Sequence, residues 1–343
     1  MKKNLLILSA LFCSAILMMY ILVRHAEPDR IYANFTSDYH KFKLLPVDTI
    51  LFPGRVSIMK AGQGNIYGYV YNQNSIFRYN SLSHQTDTFF AKKNLPVNIV
   101  TRLEIDTITH KFYIFDDTGN KAITYQPDKN KIDSILFRKN TKGVSGGSLE
   151  NNFFLSSDYD TTKKILQLKL RNFSFPGKDS VLHRFPFFED GGLSADGFFV
   201  RAPHSHEHFY IPFYNGEIIK YDDQLNKTSL FHTIDQTKSS NITVKTGKIY
   251  TRSSKSIVIN SSATVDAKYL YILSYVLTED AATSGYRGPV IDVYHTKTGN
   301  YEGSFRLPGF ENRPVIQLAR YADKLVAVYE NNILIFKLNI YEK

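Results

Sequence analysis

The sequence has a single cysteine among its 343 residues and no tryptophan. One cysteine cannot form an internal disulfide, which excludes a disulfide framework as the source of stability. Long helical patterns are missing after residue 31, and so are the nucleophile-elbow, metalloprotease-helix and phosphate-loop motifs of common enzyme classes. The sequence therefore specifies no reaction, and its information concerns architecture and location.

The composition is that of an ordinary globular protein, with 43% hydrophobic and 22% charged residues. This excludes a wholly disordered, collagen-like or polytopic membrane chain. The net charge is +10, but Lys and Arg are dispersed, which favours weak attraction to anionic surfaces over a nucleic-acid partner. The chain contains 25 Phe and 23 Tyr in short apolar runs, which favours β structure.

The N-terminus carries an apolar run from Leu5 to Val23, preceded by Lys2 and Lys3. As a helix this run is about 28 Å long, close to the hydrocarbon thickness of a bilayer. No cleavage site follows it, so residues 1–30 are predicted to form an uncleaved membrane anchor with a short linker. A cleaved signal peptide is the alternative. The basic N-terminal flank favours a bacterial inner-membrane protein with a single span and residues 31–343 in the periplasm.

From residue 31 onwards a pair of short strands recurs along the chain. The pairs begin at residues 65, 111, 152, 208, 269 and 324, which are 41 to 61 residues apart. Propeller blades of four strands repeat at about 40–50 residues. We therefore predict an all-β fold, a six-bladed β-propeller preceded by one N-terminal transmembrane helix. Seven blades, with a further hairpin hidden in residues 248–260, and a two-sheet sandwich are the alternatives. The predicted middle strands of the six blades are 65–70 with 75–80, 111–116 with 122–125, 152–157 with 165–170, 208–213 with 217–222, 269–274 with 290–294, and 324–329 with 333–338.

The two ends of the repeat array predict how the propeller closes. Only residues 339–343 follow the sixth strand pair, too few for a separate outer strand. Residues 39–47 precede the first inner strand and can supply it. Both termini then belong to one blade, which removes an exposed sheet edge.

Several stretches carry a resemblance to known propellers, namely Asp196-Gly197-Phe198-Phe199, residues 209–222, residues 290–294 and residues 325–338. Over most of residues 40–340 the chain resembles six-bladed propellers of the NHL and TolB-like kind. It resembles most closely the uncharacterised, membrane-tethered propeller proteins of bacterial envelopes. The resemblance implies an envelope protein or peptide partner, with redox-associated membrane proteins as one class. It carries over no catalytic residue and no cofactor. The absence of Trp argues against quinoprotein, WD-repeat and Asp-box propellers.

The most concentrated chemical signal is the segment of residues 203–208. In an extended chain His204, His206 and His208 lie on one face, about 6.6 Å apart, where imidazoles can share zinc or copper. No fourth ligand is evident, so we interpret the segment as a polar turn of blade four and expect no metal.

Two acidic stretches are also candidates for chemistry. Residues 189–197 contain acids beside glycines without the spacing of a calcium loop. Asp158-Tyr159-Asp160 is predicted to be a hairpin turn.

Two long connections, residues 232–255 and 278–289, interrupt the repeat. Long loops on rigid scaffolds commonly carry binding residues, and these two are expected on the same face of blade five. The predicted function is therefore a binding or scaffold module. A metal-dependent lactonase or hydrolase is the alternative, and tolerated surface insertions without function are the simplest explanation of the two connections. The predicted partner contacts are Tyr250, Arg252, Tyr286 and Arg287.

Overall fold

The computed structural model describes residues 2–25, 32–33, 35–62, 64–73, 75–89, 100–106, 111–116, 121–126, 129, 131–136, 153–160, 162–172, 179–187, 190, 192–202, 207–222, 224–237, 257–278, 284, 286, 288–311 and 313–341. The chain begins with helix α1 (Lys2–His25), which covers the apolar run. Among the described residues, no helix is both long and apolar enough to cross a membrane.

Apart from one short parallel pair, the described strands after α1 form six antiparallel sheets of three or four strands. In five of these sheets the strands follow one another in chain order, and in the sixth the early strand β2 (Phe42–Leu51) lies beside the last strand, β25 (Asn332–Ile340). These sheets are the six blades that the repeat predicts. Blade three has three described strands, and residues 137–152 before it lie outside the described part of the chain. The blades are β3 (Val56–Gly62), β4 (Asn65–Val70), β5 (Ser75–Asn80) and β6 (Gln85–Phe89); β7 (Val100–Asp106), β8 (Lys111–Asp116), β9 (Lys121–Gln126) and β10 (Lys131–Leu136); β11 (Phe153–Asp160), β12 (Ile165–Asn172) and β13 (Ser180–Arg184); β14 (Gly197–Arg201), β15 (His208–Pro212), β16 (Glu217–Tyr221) and β17 (Lys227–His232); β18 (Asn260–Val265), β19 (Tyr269–Ser274), β21 (Val290–His295) and β22 (Tyr301–Arg306); and β23 (Gln317–Tyr321), β24 (Lys324–Tyr329) and β25 (Asn332–Ile340) with β2 (Phe42–Leu51).

The first strands of neighbouring blades lie side by side around the axis of the propeller. Contacts of this kind join β14 to β18, β18 to β23, β23 to β3 and β3 to β7. The order of the blades around the axis is therefore their order along the chain.

The hydrophobic core lies between the blades. One cluster joins blades five and six through side chains such as Tyr271 and Phe336, and another joins blades six and one through Val326 and Phe77. Because a middle strand is covered on both faces, β19 is buried at every position. Buried strands of this kind have nearly continuous apolar sequences, which explains why the strand pairs were recognisable.

The predicted closure is confirmed with a shift in its boundaries. β2 pairs antiparallel with β25 from Phe42 opposite Ile340 to Leu51 opposite Asn332. The register slips between Pro46 and Asp48. Proline has no N–H to donate and is tolerated on an edge strand, which β2 is. The outer strand is thus Phe42–Leu51 and not residues 39–47.

The turn predicted at Asp158–Asp160 is wrong. β11 extends to Asp160, and Asp158 is buried inside the blade, where it forms ion pairs with Arg171 and Lys169. The turn comes later, and Asp160 caps it by accepting hydrogen bonds from the backbone of Thr162 and Lys163. A buried carboxylate that has cationic partners is compatible with a strand, and sequence spacing alone did not reveal those partners.

Candidate binding surface at blade five

The upper face of the propeller is defined here as the end where the second strand of a blade connects to the third and the outer strand to the next blade. The two long connections meet there. Gly216, in the turn between β15 and β16, donates its N–H to the Thr237 carbonyl oxygen at 2.7 Å. Tyr275, after β19, donates to the carbonyl oxygen of Ile259 at 2.8 Å. The described ends of both connections therefore lie together, as expected from the order of the strands.

Asn260 fixes the second end of the first connection. Its side chain is fully buried, and its Nδ2 lies 2.9 Å from the carbonyl oxygens of both Pro212 and Asn215. Among the described residues, three buried oxygens at the two ends of this connection have no hydrogen-bond partner: Asn260 Oδ1, Thr233 Oγ1 and Asp235 Oδ2. Oxygens of this kind favour a donor such as water, a cation or a ligand N–H.

Tyr286 lies in the second connection and is half-buried. Its hydroxyl donates to the Pro289 carbonyl oxygen at 2.7 Å, and its ring packs on Val290. The Arg306 guanidinium lies between two rings, 4.6 Å from the centroid of Tyr286 and 4.7 Å from that of Tyr39. Sequence reasoning identified Tyr286 but missed Arg306 and Tyr39, because no local pattern links residues so far apart.

The other three predicted contacts lie outside the described residues. They are Tyr250, Arg252 and Arg287. Their part in binding remains a prediction, as does that of Tyr286, whose described contacts hold the connection against blade five.

A buried carboxyl group lies inside blade five, near the first connection. Asp292 is 2% exposed and accepts a hydrogen bond from Ser304 Oγ at 2.6 Å. The pKa of Asp292 is raised to about 7, mainly by burial; the nearby Asp235 carboxylate also contributes to the rise, and the Ser304 hydrogen bond opposes it. The group therefore changes charge near neutral pH without contact with bulk water.

The strands that flank the histidine segment, β14 and β15, are joined at the opposite, lower face, where Ala202 donates its N–H to the Glu207 carbonyl oxygen at 2.8 Å. His208 is buried as the first residue of β15, opposite Arg201 and Tyr221. His204 and His206 lie outside the described residues. Within the described ranges no group of three or more His, Cys, Asp or Glu side chains is placed to hold a metal ion.

The described acidic side chains before β14 accept hydrogen bonds from the nearby backbone. The Asp190 carboxylate accepts hydrogen bonds from the backbone N–H groups of Gly192 and Ser194, at 2.9 and 2.8 Å. Burial raises the pKa of Asp196 to about 6, while the Gly197 N–H, 2.9 Å from its carboxylate, lowers it. Both carboxylates stabilise the local backbone.

Comparison with solved structures supports the fold. A member of the DUF4221 family from Bacteroides vulgatus is 11% identical with a TM-score of 0.55, over 88% of this chain and 99% of that one. A putative exported protein from Bacteroides fragilis is 10% identical with a TM-score of 0.52, over 91% and 99% of the two chains. A streptogramin B lyase is 11% identical with a TM-score of 0.50, over 89% and 100%. No protein-family model matches the chain, and no curated protein sequence matches it. The chain is thus similar in fold to bacterial propellers, one of them described as exported.

Proposed function

We propose that this protein is an exported, membrane-anchored propeller that binds an envelope protein or peptide on the upper face of blade five. The observation that carries the proposal is the convergence of two long connections at that face. The Tyr275–Ile259 and Gly216–Thr237 hydrogen bonds fix their ends to rigid blades. Long connections on a rigid scaffold commonly carry binding residues, and rigid supports reduce the entropy lost on binding.

Helix α1 supports the anchor. Large apolar side chains such as Leu11, Phe12, Leu17 and Met18 are 60–68% exposed. Residues 11–20 are all exposed, and ten consecutive positions cover every face of a helix. Such a surface is unfavourable in water by roughly 25 cal/mol per Å², and a bilayer covers it. The B. fragilis protein of similar fold is described as a putative exported protein, which agrees with the proposed location.

The anchor is tested by mass spectrometry of the membrane fraction. We expect the intact N-terminal peptide, including Lys2 and Lys3, in the mature protein. A mature chain that begins near residues 24–31 would mean a cleaved signal peptide.

The binding face is tested by photocrosslinking in native membranes. A photoreactive amino acid replaces Ser284, which is exposed in the second connection. The matched control replaces Lys297, which is exposed in the lower turn of the same blade. We expect a discrete crosslinked species from position 284 and none from position 297. Crosslinks from position 297 alone, or the same species from both positions, would contradict the proposal.

The enzymatic alternative is tested by metal content. The streptogramin B lyase has a similar fold, but identity as low as 11% carries no active site over to this chain. We expect no stoichiometric zinc or copper after dialysis. Retained metal that disappears when His204, His206 and His208 are replaced by Ala would favour the metal-dependent hydrolase.

A further inference from the structure

The described residues between α1 and β2 cross blade five from its upper to its lower face. At the upper face β1 (Tyr32–Ala33) pairs in parallel with β20 (Leu277–Thr278), which belongs to the second long connection. The register places Tyr32 opposite Leu277 and Ala33 opposite Thr278. We call residues 32–41 the strap.

Lower down, the strap lies against the outer strand of blade five. Ser304 donates its N–H to the Asp38 carbonyl oxygen at 2.7 Å, and Asp38 N–H donates to the Tyr301 hydroxyl at 3.1 Å. Gly303, with φ +142°, permits this approach, since a Cβ there would lie 3.0 Å from the Asp38 oxygen. The stack of Tyr39, Arg306 and Tyr286 joins the strap, the blade and the second connection.

At the lower end the strap is fixed again before β2 begins. Lys41 forms an ion pair with Glu302, and its ammonium lies 5.3 Å from the Tyr269 ring centroid. Phe42 then packs edge-to-face on Tyr269, with ring centroids 5.8 Å apart. The strap is therefore held at its top, middle and bottom, and the chain enters the propeller at the upper face.

The direction of the strap limits how the propeller can sit on a membrane. Six residues separate His25 from Tyr32, and an extended chain of that length bridges at most about 25 Å. A six-residue strand is itself about 20 Å long, so a lower-face contact with the bilayer would use almost the whole linker.

We infer that the strap holds the upper face of blade five against the bilayer surface. This inference rests on the anchor of the proposed function. The partner of the upper face is then one that is presented at the bilayer surface, such as the membrane-proximal part of an integral membrane protein. The exposed lower face points away from the membrane.

The strap itself is tested first with cysteine pairs in the full chain. Replacing Cys13 by Ser removes the only native thiol. We expect Ala33→Cys with Thr278→Cys to form an intramolecular disulfide on mild oxidation, because these residues are register partners. The control pair, Ala33→Cys with Lys297→Cys, joins opposite faces and stays reduced. Failure of the first pair in a protein that melts like the parent would overturn the strap.

Orientation is tested in vesicles of phosphatidylethanolamine and phosphatidylglycerol that contain nitroxide-headgroup lipid. Single-cysteine chains with Ser284→Cys or Lys297→Cys, both in the Cys13→Ser background, are labelled with a fluorophore and reconstituted. We expect loss of fluorescence at position 284 and unchanged fluorescence at position 297. Equal or reversed quenching in chains that float with the vesicles would overturn the orientation and leave the anchor intact. Chains that do not float would overturn both.

Discussion

Two consecutive stretches of the N-terminal segment cross neighbouring blades in different ways. β2 is hydrogen-bonded along its length to β25, from Phe42 to Leu51, and completes blade six. The strap touches blade five at separate points, through Asp38, Tyr39 and Lys41. The ladder of β2 covers the edge of a sheet, whereas the separate contacts of the strap fix the path of the chain across blade five. β2 therefore completes a blade of the fold, whereas the strap determines where the chain enters the propeller.

The largest expected effect comes from comparing two N-terminal deletions, one that removes β2 and one that ends just before Phe42. Removing residues 2–51 takes away β2 and exposes the long, apolar β25 as a sheet edge, so we expect aggregation and loss of the cooperative melting transition. Removing residues 2–41 leaves β2 in place, and we expect a monomer that melts cooperatively. Size-exclusion chromatography and thermal melting report both outcomes. Equal behaviour of the two truncated chains would show that the strap and β2 contribute alike.

The second prediction concerns Asp292, which is linked to the strap through Ser304, Tyr301 and Asp38. Burial raises the pKa of Asp292 from its ordinary 3.8 to about 7 in the folded state. As pH rises, Asp292 therefore loses its proton in the unfolded chain before it does so in the folded protein. The free energy of unfolding is highest below pH 4 and falls as pH rises towards 7. We expect Asp292→Asn to equal the wild type at pH 4 and to be more stable by about 2–4 kcal/mol at pH 8.

Denaturant unfolding across this pH range measures the effect. Asp133→Asn is the control, since Asp133 is exposed on the outer strand β10. Between pH 4 and pH 8, the difference in stability between Asp133→Asn and the wild type should change much less than the difference for Asp292→Asn. A pH-independent difference for Asp292→Asn would mean that the carboxyl is ionised in the fold.

A smaller effect on stability is expected from a substitution at the contact between the strap and blade five. Gly303→Ala introduces a Cβ 3.0 Å from the Asp38 oxygen at a positive φ, and we expect it to destabilise the full chain by about 1–2 kcal/mol. In the chain without residues 2–41 the Asp38 contact is gone, so Gly303→Ala should lower the free energy of unfolding by less. What remains is the strain of an Ala at a positive φ and the close contact of its Cβ with the Phe42 ring. Gly309→Ala, with no atom within 4 Å of the added Cβ, is the control and should be near neutral. An identical cost in both chains would contradict the strap contact.

The sequence predicted the parts of the fold that repeat. The middle strands of a blade are covered on both faces, so stretches such as β19 and β24 are mostly apolar and stand out. Closure could be predicted because the residues left after the last strand pair were too few. Both inferences use local patterns and chain order, which sequence retains.

The strap and its stack could not be predicted in this way. Tyr39, Tyr286 and Arg306 are far apart in the chain, and each is unremarkable in its own surroundings. Asp158 shows the same difficulty, because its cation Arg171 lies on the next strand and makes a buried acid compatible with β structure. The site depends on contacts between distant segments, and no local pattern in a single sequence records them.

Hydrogen exchange is the most direct test of the upper face of blade five as the binding surface. The full chain is compared in native membranes and after purification in detergent, without substitutions. We expect slower exchange in membranes for peptides from residues 238–256 and 279–288, and unchanged exchange for the lower turns at residues 222–226 and 296–300. Slower exchange confined to the lower turns, or no difference in either set, would contradict this expectation.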